Sequence, residues 1–161
     1  MKLQVVNVLK QVGLLGAILL ATVFTSAHAQ SPSNRVTAQI PFDFSIGDRK
    51  LPSGKYSVGR VRTNSDDLVL SVDDESGRSK AIHTSISVRN LDLTENAKLV
   101  FHRYGDQYFL YQVWPGGTTT GRQFPKSRSE RDAQQALTSP AIGKSSGDIH
   151  LEIVKVSAVS Q

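Results

Sequence analysis

Cysteine is absent from the 161 residues, and methionine and tryptophan occur once each. Without thiols the fold has no disulfide staple, no thiolate metal site and no acylated cysteine at an N-terminal cut, so a packed core must carry it. Long apolar runs are nearly lacking. The uncharged run Gly13 to Phe24 falls short of the about 20 residues that span a bilayer and ends in polar Thr25-Ser26. No apolar tail is expected either, since the last residues are Ser157-Ala158-Val159-Ser160-Gln161. Acids are missing before Asp43, and neither HExxH nor a Cys/His cluster occurs. No cofactor or metal is therefore expected.

The acid-poor start has a pattern of its own. Lys2 and Lys10 precede the apolar run, and Ala27-His28-Ala29 follows it. A positive segment, an apolar segment and small residues at a cut make a cleavable export signal. Residues 1–29 are read as that signal, with the working chain starting at Gln30 and free of any transmembrane span. The expected compartment is periplasmic or extracellular. The formal charge of +5 drops by two when Lys2 and Lys10 leave with the signal. What remains is mild and unclustered, which argues against nucleic acid as a partner.

Residues 30–34 (QSPSN) read as a loose end, and residues 35–161 as one β-domain. Val36, Ala38, Ile40, Phe42 and Phe44 alternate with polar residues or proline, the period of a half-buried strand. Further strands are expected over Lys55–Arg62, Leu68–Val72, Lys80–Val88, Lys98–Arg103, Tyr108–Trp114 and Ile149–Val156. Ile46 to Gly54, Thr63 to Asp67, Asn90 to Ala97 and Thr118 to Lys126 read as connections. Gly105-Asp106 suits a two-residue hairpin turn. That register sets His102 opposite Phe109, Phe101 opposite Leu110 and Val100 opposite Tyr111. Both faces of the hairpin are then apolar, so it should be covered on both sides, with Trp114 beside Phe101 or Leu110. Ser127 and Glu130 fit a capping box that opens a short helix, Glu130 to Leu137. The fold class is all-β, mainly antiparallel: a single-domain sandwich or partly open barrel of about seven strands with one short helix.

Three segments carry a resemblance. Ile40-Pro41-Phe42-Asp43-Phe44, Leu51-Pro52-Ser53-Gly54-Lys55-Tyr56 and Leu99-Val100-Phe101-His102-Arg103-Tyr104-Gly105-Asp106 resemble a group of small exported bacterial proteins of unknown function. The resemblance implies an exported β-rich domain. It implies no activity, ligand or catalytic residue.

Gly143-Lys144-Ser145-Ser146-Gly147 matches G-x-S-x-G in letters, without the strand before and helix after that a nucleophile elbow needs. Its Gly-Lys-Ser also echoes a P-loop, whose first glycine would fall at Thr138; a loop is the plain reading. His83, His102 and His150 fall on separate strands, and Asp73-Asp74-Glu75 lacks the spacing of a calcium loop. The stretch from His102 to Arg131 gathers aromatics and arginines, which together can hold a sugar ring or an anion. Tyr104, Tyr108, Arg122, Arg128 and Arg131 are its binding candidates. The leading expectation is a non-enzymatic exported domain that binds an envelope component or a small ligand. The alternative is a hydrolase using His102 and Asp106 with nearby arginines. His102 is expected to be non-catalytic, with its polar edge towards solvent or Tyr104 and no carboxylate to orient it.

Overall fold

Strands of period two need a second layer to cover their apolar side, and this chain supplies it by folding one sheet onto another. The structure, a computed structural model, describes residues 35–61, 68–138 and 151–160. The expected signal (1–29), loose end (30–34), turn at 63–67, His150 and the run 143–147 lie outside those residues.

The described elements are β1 (Val36–Ile40), β2 (Phe44–Ile46), β3 (Arg49–Leu51), β4 (Gly54–Arg60), β5 (Val69–Asp74), β6 (Ser79–Thr84), β7 (Ile86–Thr94), β8 (Lys98–Tyr104), β9 (Gln107–Trp114), β10 (Thr118–Gln123), α1 (Arg128–Thr138), β11 (Glu152–Ser157) and β12 (Val159–Ser160). One sheet has the order β12-β1-β4-β5-β6. The second runs β11-β8-β9-β10-β7 and also carries the β2–β3 hairpin. Every pairing is antiparallel except the bridge of Ser45 in β2 to Phe109 in β9. The described residues form a β-sandwich with one helix. The twelve described strands exceed the expected seven because three bends add β2, β7 and β12, and because β3 and β10 form where connections were expected. Residues 41–43 carry it from β1 to β2, and Ser85 separates β6 from β7. Ser85 is 1% exposed, and its N–H and hydroxyl both bond to the Leu68 carbonyl, which satisfies the buried bend. Ala158 returns the chain from β11 to β12.

The core lies between the sheets. Val36, Ile40, Val58 and Val72 face Leu99, Phe101, Leu110 and Val113, with the Phe44 ring edge-on to Tyr56 and Phe101. Each such buried side chain stabilises by about 1.5–3 kcal/mol.

The β8–β9 hairpin turns on Gly105-Asp106 as expected, with Gly105 at φ 61°. His102 opposes Phe109 and Phe101 opposes Leu110. Beyond that pair the expected register fails. A bulge at Tyr111 puts Val100 opposite Gln112 and Leu99 opposite Val113. The extra residue moves Val113 into the inter-sheet core and Trp114 to the other face. Trp114 is buried as expected, yet away from Phe101 and Leu110. It packs on Gly121, so closely that a Cβ at that glycine would lie 2.6 Å from the indole. The hairpin is covered on both sides: by the first sheet, and by α1 over Tyr104 and Phe109 through Ala133 and Leu137.

Among the described residues no helix is long and apolar enough to cross a membrane.

Candidate functional site

Helix α1 begins where the sequence predicts a cap. The Ser127 hydroxyl accepts from the Glu130 N–H at 3.1 Å. The reciprocal half of the box is replaced by a distant contact. Instead of reaching back, the Glu130 side chain turns into the protein and accepts from His102 Nδ1 at 2.7 Å and from the Tyr104 hydroxyl at 3.3 Å. His102 and Glu130 are each 4% exposed. The bulge at Tyr111 completes the site, since its ring stacks on the imidazole at 3.7 Å. Lys126 closes the rim, donating to the Tyr104 hydroxyl at 3.2 Å and to Gln134 at 2.8 Å. Burial pushes the Tyr104 phenol above its ordinary range; the Glu130 charge acts in the same sense, and Lys126 opposes it.

This corrects the expectation for His102. It has a carboxylate to orient it, and its ring is enclosed beneath α1 rather than edged towards solvent. Asp106, its partner in the hydrolase reading, is exposed in the hairpin turn. A general base must reach substrate, and this imidazole is sealed by the helix.

The five binding candidates do not converge. Tyr104 is buried under α1, while Tyr108 points to the opposite face of the hairpin, stacked on Phe42 at 3.9 Å with Arg103 over it. Arg128 projects to solvent near Asp132, and the exposed Arg131 donates to the Lys126 carbonyl. Arg122 lines a cleft between the sheets. The acidic run is a turn: the Asp74 carboxylate accepts from Ser76 N–H, Ser76 Oγ and Arg78 N–H and pairs with Lys80. Those donors hold it well below the usual carboxylate range, and they occupy the lone pairs a calcium ion would need.

The cavity at Arg122 is a cleft of about 460 Å³ at one end of the inter-sheet space, a size typical of small-molecule sites. Register explains it. Arg60 is opposite Leu70, and Arg122 is opposite Val113. Directly paired residues share a face, so both arginines point inward, from opposite sheets, where the aliphatic core gives out. Val58, Leu70 and Val113 form the floor, and Thr118, Thr119 and Thr120 add hydroxyl and backbone groups. Leu93 stands at the wall, still 64% exposed. Among the described lining residues there is no acid. Sequence reasoning singled out Arg122 and missed Arg60. The available signal was alternation: Tyr56, Val58 and Arg60 share one parity, and the first two are buried.

Comparisons with family models, with curated proteins and with solved structures return no match for this chain.

Proposed function

We propose that this chain is exported and works in the periplasm or outside the cell as a non-catalytic β-sandwich that binds a small ligand between its sheets. Lys2 and Lys10, the uncharged run Gly13–Phe24 and Ala27-His28-Ala29 support export, as does the resemblance to small exported bacterial proteins. The observation that carries the binding reading is the inter-sheet cleft with Arg60 and Arg122 on its walls. Rigid sheets hold those side chains, which is the setting in which a few polar groups over an apolar floor give recognition. The hydrolase reading with His102 and Asp106 loses ground because the two residues are apart and the imidazole is enclosed.

N-terminal sequencing tests the export half: protein recovered from the envelope or medium should begin at Gln30. Intact Met1 in a membrane fraction would overturn it. For the binding half, native mass spectrometry of the protein from its own envelope fraction should show a bound small molecule. Thr120→Phe, which fills the cleft, should lose it; an adduct unaffected by Thr120→Phe would place binding elsewhere.

A further inference from the structure

We propose that the chain pairs with a second copy of itself through the bulged half of β7, with Leu91 at the two-fold axis and Arg89 of each copy beside Asp92 of the other. This contact is separate from the reading of the cleft as a ligand site and does not depend on it.

The bulge is set by the ladder. β7 pairs with β10 from Ile86 opposite Gln123 to Arg89 opposite Thr120, and the two strands rejoin at Thr94 opposite Thr118. Thr119 alone spans on β10 what residues 90–93 span on β7, so the longer segment stands out from the sheet. Its side chains are turned to solvent. Leu91 is 99% exposed and Leu93 64%, and Ile86 further along the strand is 55% exposed. Among the described residues no other strand carries three exposed large apolar side chains. Single exposed leucines are ordinary, whereas a cluster of them on the last strand of a sheet marks a contact surface.

The charges select the occupant. Arg89 and Asp92 are both exposed, and neither has an ion-pair partner among the described residues. Charge of one sign would guard this margin, because identical copies would repel each other there. Instead a cation lies two residues before Leu91 and an anion one residue after it. Two copies that meet antiparallel at Leu91 bring opposite charges together twice, Arg89 to Asp92 and Asp92 to Arg89. A two-fold contact has to be self-complementary in this way. Its apolar centre is Leu91 against Leu91, flanked by Leu93. The patch is small, so the dimer is weak and reversible.

Protein purified from cells expressing the full chain should show a monomer–dimer equilibrium in sedimentation between micromolar and near-millimolar concentration. Leu91→Asp should leave it monomeric with an unchanged urea midpoint, since the position is 99% exposed. Arg89→Asp and Asp92→Arg should each weaken the dimer by about tenfold, because each puts two like-charge pairs in place of two attractive ones. Mixed together, these two charge variants should form a heterodimer about as tight as the wild-type dimer, since one copy then offers two acids and the other two arginines. A protein that stays monomeric at near-millimolar concentration, a dimer indifferent to Leu91→Asp, or a mixture no tighter than either charge variant alone would overturn the proposal.

Discussion

Replacing Glu130 probes the joint between α1 and the second sheet. Its carboxylate serves two buried donors, His102 Nδ1–H and the Tyr104 hydroxyl, and the His102 and Glu130 side chains are each 5% exposed. Glu130→Ala removes both acceptors and leaves a space that the neighbouring rings do not fill. A stranded buried donor costs about 1–3 kcal/mol. Two stranded donors point to a loss of about 2–6 kcal/mol in urea unfolding at neutral pH. Glu130→Gln keeps one acceptor oxygen in place and should lose only about 1–2 kcal/mol. The double variant His102→Phe with Glu130→Leu exchanges the pair for apolar groups and should recover most of the loss. Hydrogen exchange of the α1 amides should speed up in Glu130→Ala before that of β8 or β9, because the helix hangs on this contact and on Ala133 and Leu137. A cost below ~1 kcal/mol for Glu130→Ala, or a double variant no more stable than the sum of its single losses predicts, would refute this coupling.

Gly121→Ala should destabilise by about 1–3 kcal/mol, because its Cβ would lie 2.6 Å from the Trp114 ring. Trp114 is the sole tryptophan, so a red-shifted emission reports its displacement, and unchanged emission with unchanged stability would place the indole elsewhere. Gly105→Val should cost about 1–3 kcal/mol through backbone strain alone, since φ is 61° and nothing lies within 4 Å of the new Cβ. Gly105→Asn should be tolerated much better, and equal losses for the two would remove positive φ as the cause. Tyr104→Phe bears on alkaline stability. The folded phenol is raised above 10.0, so its contribution is complete below about pH 10 and lost as pH rises through the folded value. Tyr104→Phe should lower stability at pH 7 and flatten the decline above pH 10, as read from urea midpoints across pH. A parallel pH profile would contradict the burial of that hydroxyl.

Local chemistry made much of this fold legible. Gly105-Asp106 marks its own turn, Ser127 marks the start of α1, and the period of two in Val36 to Ile40 marks β1. Contacts between distant segments were not written locally. The bulge at Tyr111 depends on which partner strands flank β9, and it reversed the faces of Val113 and Trp114. β10 escaped because Thr118-Thr119-Thr120-Gly121-Arg122-Gln123 has no apolar alternation. Its pairing with β7 supplies the order that hydrophobicity does not. β7 runs on through residues 90–94, read as loop, because β10 gives it a partner. The same gap explains the site. Glu130 has an ordinary role in its own turn, and only the packing of α1 on β8 brings it to His102, 28 residues away. Arg60 and Arg122 belong to different sheets, so their shared cleft is a product of topology.

The pairing of Val36 with Ser160 sets an order of assembly. A chain delivered from its N-terminus, by a ribosome or through a translocation pore, produces β1 long before β12. Until residues 152–160 arrive, β1 and β8 each keep a bare edge that β12 and β11 later cover. Such non-local closure is slow compared with hairpin formation, and bare edges accept strands from other molecules. β11 and β12 are joined through the single residue Ala158 and each pairs at the margin of a different sheet. The pair can therefore be exchanged between two copies without disturbing the rest of either. A reciprocal dimer with these two strands traded is therefore the expected misassembly at high concentration, since each partner in it would keep the hydrogen bonds it has alone.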